Sequence, residues 1–399
     1  MNAVAIFHRD HTAYLAEVAA AWGAERPVFL GNPQWGPTEM AEAAQLIPAG
    51  TDVVGAELIP MGPAPADWPA SGRGRTMIPT GGTGGHVKFV MHDPASLAAA
   101  VRALREFLVA RGLSSTLHSA TLTPPWHVSG LMPLVRAVVT GGRHIVLDGR
   151  FPADAPLPTI SLPTDGTRIA SLVPTQLLRV LANPGGEAWL KRFHVVLLGG
   201  AAVPPACLRA IRDRRLPVFL TYGLTETAAA CAICPPETLW KNLPPRGQPL
   251  PGVRFGLANS ILTIAGPTLG LGLWPAELFP REGFLSQDRA ELGADGSVRI
   301  LGRADRVIVS GGEKIDPSRV EGVFASTAET HVLGLTDPQW GERVVALVVG
   351  SAELEPTLRR LAERLEPAAR PKQYAFVTEL PTDARGKLDR TAARRRFDA

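Results

Sequence analysis

Cysteine is scarce: three residues in a chain of 399, too few for a disulfide framework, so a reducing compartment is expected. Charge of one sign is scarce as well. Lysine and arginine (41) exceed aspartate and glutamate (37) by only 4, which supports neither a nucleic-acid nor a membrane-surface partner. Glycine and proline (40 and 37) make up roughly a fifth of the residues, below the share of about 25–30% seen in low-complexity chains. With 45% hydrophobic residues, collagenous and unfolded readings are excluded. Long apolar runs are missing too. The first 22 residues carry His8, Arg9, Asp10, His11 and Glu17 where an export signal needs an uninterrupted apolar core. The most apolar window, 255–279, is broken by Gly256, Gly266, Pro267, Gly270, Gly272 and Pro275 and reads as turns between short strands, not a membrane helix. No fixed-period repeat appears. What these absences leave is a soluble, cytoplasmic protein, long enough for two or three domains at about 150 residues each.

The patterning that is present points to an α/β fold. Asp93 and Pro94 form an N-cap and first-turn pair, followed by Leu97, Val101, Leu104, Phe107 and Leu108 at helical spacing. The apolar runs 195–198 and 217–220 flank a helical stretch, 204–214, in the strand–helix–strand rhythm of a parallel sheet with ligand loops at its strand ends. From 255 to 302 short strands punctuated by glycine and proline predict a small β-rich subdomain of a large N-terminal domain, 1–302. A polar join at 303–305 precedes a separate α+β unit, 306–399, with strands at 331–335, 344–349 and 374–377 and an amphipathic helix at 355–365.

Thr80-Gly81-Gly82-Thr83-Gly84-Gly85-His86-Val87-Lys88 reads as a loop between the strand-like 76–78 and the helix near Asp93. Its glycines let successive N–H groups face an anion, two threonines add hydroxyl donors and Lys88 a cation, a set suited to phosphate. It lacks the Gly-Lys-Ser/Thr close of a Walker loop, and Val87 stands where a dinucleotide fingerprint needs its third glycine. On these residues alone a surface turn is as good a reading. Between Phe107 and Leu147 there is no acidic residue, yet Arg136 interrupts an apolar run; a buried cation needs an anion or hydrogen-bonding oxygens, here a ligand carboxylate or the helix-end carbonyls before Gly141. Cys231 and Cys234 spell a CxxC pair with no second pair to complete a zinc site, so packed strand thiols are the favoured reading. The run Arg394-Arg395-Arg396 reads as a solvated tail.

Four blocks in order, 80–88, Thr221-Tyr222-Gly223-Leu224-Thr225-Glu226-Thr227, Gly302-Arg303-Ala304-Asp305-Arg306 with Ser310-Gly311-Gly312-Glu313-Lys314-Ile315, and Arg385-Gly386-Lys387-Leu388, resemble the adenylate-forming acyl-CoA synthetases. Within that family, Trp126-His127-Val128-Ser129-Gly130, 171–177 and 198–204 are most similar to the o-succinylbenzoate–CoA ligases of menaquinone or phylloquinone synthesis, in their cyanobacterial and plastid-like form. The resemblance implies ATP-dependent adenylation of an acid and then thioester formation with CoA, with Mg²⁺ as the metal and a mobile C-terminal domain. It implies that Thr80, Gly81, Gly82, Thr83, Gly84, Gly85 and Lys88 hold the β- and γ-phosphates, that Thr225 touches phosphate, and that Glu226 helps hold Mg²⁺. Gly200, Ala201, Tyr222 and Gly223 would line the nucleotide site, Tyr222 lying against adenine, and Asp288 and Arg303 would bond the ribose. Lys387 would neutralise the acyl carboxylate and α-phosphate and withdraw as the C-terminal domain swings about Asp305, and Gly311 and Gly312 would line a CoA channel. Gly199, His127 and Arg136 would meet the acid; the nine-residue spacing of His127 and Arg136 matches the family arginine that contacts a second carboxylate.

Bland alternatives stand beside these roles: Tyr222 as a core residue, Glu226 as a helix first-turn acid, His127 as a packing residue. Departures from the family pattern are Gly81, Gly84, Val87 in place of proline, Ser286-Gln287-Asp288 in place of Thr-Gly-Asp, and a short segment before the loop. They keep open a ligase for another aryl or alkyl acid and a nucleotide- or acyl-binding protein without turnover. An amino-acid adenylation module would place an aspartate near Trp126-His127, and none is there. The implied partners are a small carboxylic acid, ATP and CoA, with no nucleic acid and no membrane insertion; the oligomeric state is left open, a homodimer among the options.

Overall fold

The computed structural model describes residues 2–62, 74–81, 86–152, 155–275, 277–280, 282–310, 313–382 and 388–397. Two seven-stranded sheets form the bulk of the chain. The first runs Glu277–Leu278, Gly272–Trp274, Val87–His92, Thr76–Gly81, Val28–Leu30, Val4–Ile6, Asp52–Val54, parallel across its last four strands. The second runs Gln248–Pro249, Ala229–Cys234, Val218–Leu224, Val195–Leu198, Thr167–Leu172, Leu117–Thr121, His144–Val146, parallel across its last five.

The central parallel strands Val4–Ile6, Val28–Leu30 and Val195–Leu198 are short, apolar and buried throughout, as expected of a parallel sheet covered on both faces. Ile6, Val28 and Ile78 of the first sheet share one core with Leu117, Ile169, Val195 and Phe219 of the second, joined by Leu97, Leu104 and Leu108 of the helix Pro94–Val109 and Leu131 and Val135 of the helix Val128–Thr140. The helix Pro94–Val109 begins where its sequence dictates: the Asp93 carboxylate accepts the Ser96 N–H at 2.7 Å, and Pro94 occupies the first turn. Each of its buried leucines contributes about 1.5–3 kcal/mol of transfer free energy. A second core on the far face of the second sheet packs Leu172, Val196 and Leu198 against Leu177, Cys207 and Ile211.

An antiparallel sheet of Arg254–Ala258, Ile261–Ala265, Phe284–Leu292 and Val298–Arg303 follows, and beyond the turn Ala304–Arg306 come Glu313–Ile315, Ile308–Ser310, Gly341–Val349, Thr330–Asp337 and Gln373–Val377 in a fourth sheet. The ion pair of Arg289 with Asp316, 2.9 Å, links the third sheet to the N-cap of the helix Pro317–Phe324.

Two expectations change. The glycine-rich segment does not join a strand to a helix: a second strand, Val87–His92, intervenes and pairs antiparallel with Thr76–Gly81. Gly272–Trp274 and Glu277–Leu278 leave the β-rich stretch and extend the first sheet, where Trp274 packs edge-on to Phe29 at 5.6 Å and donates its indole N–H to the Leu46 carbonyl at 2.7 Å. The second pairing depends on a partner far outside the local stretch. Arg394, Arg395 and Arg396 are exposed, yet they ride on a short helix and turn anchored by buried Ala393 and Phe397, not on a free tail. Among the described residues no helix is long and apolar enough to cross a membrane.

Candidate active site

The antiparallel register sets Thr80 opposite Lys88, so the hydroxyl and the ammonium share one face of the hairpin stem. Gly82, Thr83, Gly84 and Gly85 lie outside the described residues. Glu42, on the helix Pro37–Leu46, holds the stem: one carboxylate oxygen accepts the Val87 N–H at 2.8 Å and the other meets His86 Nδ1 at 2.6 Å. These bonds, the Val87 N–H first, keep the Glu42 carboxyl below its ordinary pKa. Proline has no N–H, so the valine at this family-unlike position is what allows the anchor. Sequence reasoning missed Glu42 because it lies 45 residues away.

The strand Val218–Leu224 ends in the one-turn 3₁₀ segment Thr225–Thr227, which packs against both strands of the hairpin. Gly223 sits at a register shift with the neighbouring strand; a Cβ there would fall 1.8 Å from the Ala229 carbonyl, so no other residue fits. Ala228 (φ 51°) and Ala229 (φ 74°) are left-handed in succession, strain of about 1–3 kcal/mol each that the surroundings must hold. The turn is fixed through its backbone: the Thr225 carbonyl accepts from His92 Nε2 at 2.8 Å and the Glu226 carbonyl from Gly270 N–H at 2.8 Å. The Thr225 and Glu226 side chains therefore leave a rigid base. Among the described residues no group of three or more His, Cys, Asp or Glu could hold a metal ion. One carboxylate at Glu226 still fits Mg²⁺, which takes one or two protein carboxylates and completes its shell with phosphate oxygens and water.

Tyr222, Asp288 and Arg303 come together from two sheets. The Tyr222 hydroxyl donates to Asp288 Oδ2 at 2.6 Å, and Arg303 Nη1 lies 3.9 Å from Asp288 Oδ1 across an antiparallel pair. Burial, reinforced by the Asp288 charge, raises the Tyr222 pKa, so the phenol stays protonated and donating. The replaced motif residues support this cluster: Ser286 Oγ accepts the Asp288 N–H at 3.1 Å, and Gln287 Oε1 accepts from Arg303. Gly199 ends the strand Val195–Leu198, and a Cβ on it would meet Thr221 Oγ1 at 2.2 Å; exposed Gly200 and Ala201 follow.

On the acid side, Arg136 projects from the helix Val128–Thr140 and is buried, 4% exposed. Its Nη2 donates to Ser171 Oγ at 3.1 Å, and its Nη1 has no partner among the described residues. The helix-end carbonyls are not its ligands, which removes the bland reading. On the strand Leu117–Thr121, Ser119 Oγ is buried without a partner among the described residues, and Thr121 Oγ1 bonds His144 Nε2 at 2.8 Å. Burial, and secondarily the Arg136 charge, lowers His144 to about 4, so it stays neutral beside the guanidinium. Desolvation lowers Arg136 itself from 12.5 to about 10. Trp126 is a packing residue, buried against His11 (5.3 Å) and Tyr14 (5.8 Å), and His127 is the half-buried N-cap of the arginine's helix.

Cys231 and Cys234 are buried on the strand Ala229–Cys234 and Cys207 on the helix Pro205–Asp213; all three are free. Burial lifts Cys231 to about 12, and its thiol donates to the Tyr222 carbonyl. Gly311, Gly312 and Lys387 lie outside the described residues, and Asp305 is placed by its backbone in the turn Ala304–Arg306.

The AMP-binding enzyme profile matches residues 2–261, and the AMP-binding enzyme C-terminal domain matches 325–387. A probable 2-succinylbenzoate–CoA ligase of Mycobacterium tuberculosis is 34% identical over 342 residues, covering 80% of this chain and 84% of that protein. A 2-succinylbenzoate–CoA ligase of Bacillus cereus is 32% identical over 291 residues, 68% of this chain and 60% of that one. Among solved structures, o-succinylbenzoate CoA synthetase of Bacillus subtilis with its acyl-adenylate intermediate aligns at a TM-score of 0.76 and 22% identity, over 98% of this chain and 88% of that chain. ATP-bound MatB of Rhodopseudomonas palustris aligns at 0.78 and 20%, over 99% and 88%. By a profile that spans more than half its length and a relative matched over most of both chains, this chain belongs to the AMP-binding enzyme family.

Proposed function

We propose that this protein is an acid–CoA ligase that adenylates o-succinylbenzoate with ATP and passes the acyl group to CoA, acting in the cytoplasm in menaquinone synthesis. The observation that carries the choice of acid is the buried Arg136, a cation with no carboxylate partner among the described residues, bonded through one nitrogen to Ser171 and with the other unsatisfied. An acid with a second carboxylate supplies the missing anion. The names of the relatives support the same substrate.

In the first step a carboxylate oxygen attacks the α-phosphorus as the bond to pyrophosphate breaks; in the second the CoA sulfur attacks the acyl carbon and AMP leaves. Both crowd negative charge, so placed cations and donors do most of the catalysis. Thr80 and Lys88 hold the outer phosphates from the hairpin stem, and Thr225 adds a hydroxyl from the turn. Bound Mg²⁺ supplies charge neutralisation, and Glu226 is the carboxylate that holds it. Tyr222 lies against the base while Asp288 and Arg303 hold the ribose. Lys387 reaches the α-phosphate for adenylation only, so the C-terminal domain, 306–399, moves about Asp305 between the steps and Gly311 and Gly312 then line the CoA path.

Acid-dependent CoA-thioester formation with o-succinylbenzoate, benzoate and a fatty acid tests the substrate: o-succinylbenzoate should dominate, and equal turnover of benzoate would reject it. For Lys387→Ala, pyrophosphate exchange should collapse while thioesterification of supplied acyl-AMP survives. Equal loss of both would contradict the half-reaction role.

A further inference from the structure

We propose that His92 is a positioning residue for the phosphate-binding turn, its Nε2–H fixing the Thr225 carbonyl and thereby the direction in which the Thr225 and Glu226 side chains point. This rests on the ligase reading of that turn.

His92 ends the strand that carries Lys88 and is fully buried. Both ring nitrogens are engaged: Nε2 lies 2.8 Å from the Thr225 carbonyl and Nδ1 3.1 Å from Ser96 Oγ. A carbonyl can only accept, so Nε2 carries the proton, and Nδ1 of the neutral ring faces the Ser96 hydroxyl, whose one proton it shares with the Asp93 carbonyl 3.0 Å from Ser96 Oγ. Burial, lowering His92 to about 4, agrees with a neutral ring.

The imidazole thus ties together three segments, the first two consecutive in the chain and the third far from both. They are the end of the Lys88 strand, the Asp93-capped start of the helix Pro94–Val109, and a turn 133 residues away. The turn needs such a tie. It is a single 3₁₀ turn followed by two left-handed alanines; from within, the Ala228 N–H bonds Thr225 O at 3.2 Å and Thr227 Oγ1 bonds the Leu224 and Ala229 backbone, which closes the turn without aiming it. Outside contacts decide its orientation: His92 on one carbonyl and Gly270 on the next. A Cβ on Gly270 would sit 3.1 Å from His92 Cε1, so the Gly270 loop also closes on the ring. Through His92 the spacing between Lys88 and the Thr225–Glu226 pair becomes a fixed length, a condition for both to grip one polyphosphate.

The test uses the full-length protein and isothermal titration with a non-hydrolysable ATP analogue plus Mg²⁺, beside AMP, which lacks the outer phosphates. His92→Phe keeps the ring volume and removes the donor; His92→Gln returns an amide N–H at similar reach. Loss of a hydrogen bond that leaves a buried carbonyl unsatisfied predicts a roughly 10-fold or greater weakening of analogue binding in His92→Phe, with AMP affinity changed less than about 3-fold and His92→Gln near wild type. Should His92→Phe not fold, His92→Asn, too short to reach Thr225, takes its place and should behave alike. Analogue binding unchanged in the donor-less variant, or analogue and AMP weakened in parallel, overturns the proposal. No analogue binding by the wild type rejects the ligase reading itself, a separate outcome.

Discussion

Replacing Arg136 by methionine should make the unliganded protein more stable while disabling its use of the acid. In the folded state the guanidinium is 4% exposed, has one hydrogen bond, to the uncharged Ser171 hydroxyl, and leaves Nη1 unsatisfied. The fall from 12.5 to about 10 means the charged form is disfavoured by about 3 kcal/mol on folding. For a base with a depressed pKa, that cost is fully present at every pH below 10 and fades only as the pH rises toward 12.5. Methionine fills similar volume without charge, forfeiting one charge-assisted bond of about 1.5 kcal/mol. A net gain of about 1–2 kcal/mol follows, visible in calorimetry as a rise of about 2–8 °C in the transition of the N-terminal region. The same change removes a charge-assisted pairing with the ligand carboxylate, raising KM for o-succinylbenzoate about 100-fold or more while KM for ATP moves little. A monocarboxylic analogue should lose far less. A lower thermal midpoint together with an unchanged KM for o-succinylbenzoate would refute the reasoning, since the arginine would then be a structural group with a partner.

Tyr222→Phe deletes the 2.6 Å bond to the Asp288 carboxylate and should raise KM for ATP about 10-fold, checked by pyrophosphate-exchange kinetics. Glu42→Ala frees the hairpin stem at Val87 and His86; KM for ATP should rise about 3–10-fold with the thermal midpoint unchanged, because an exposed anchor adds little stability. His92 and His144 bind a proton near pH 6.5 when unfolded and near 4 when folded. The unfolded chain therefore holds more protons in that interval, and denaturant titrations should show stability falling as the pH drops from 6.5 toward 4. His92→Gln should flatten part of that slope.

Much of the site is legible in local order. Thr80, Lys88, Tyr222, Thr225, Glu226, Asp288 and Arg303 sit in short motifs whose neighbours are adjacent in the chain, and Arg136 is marked as a lone cation in an apolar run without acids. The helix after Asp93 is legible for the same reason, since capping and the helical periodicity are local. Val87–His92 escapes because a six-residue strand whose periodicity is masked by burial on both faces declares itself only through its partner.

Residue order alone therefore determined the α/β class, the positions of the motifs, and a lone cation in an apolar run, because those signals lie within a few residues of one another. Tertiary structure decided that the glycine-rich segment belongs to a hairpin, that Gly272–Trp274 and Glu277–Leu278 extend the first sheet, that Glu42 anchors Val87, that Ser171 meets Arg136 and that His92 holds Thr225. The hairpin apart, each of these pairs groups at least 35 positions apart in the chain, brought together only when sheets and helices pack. No local propensity encodes which distant group will complete a buried donor or carbonyl.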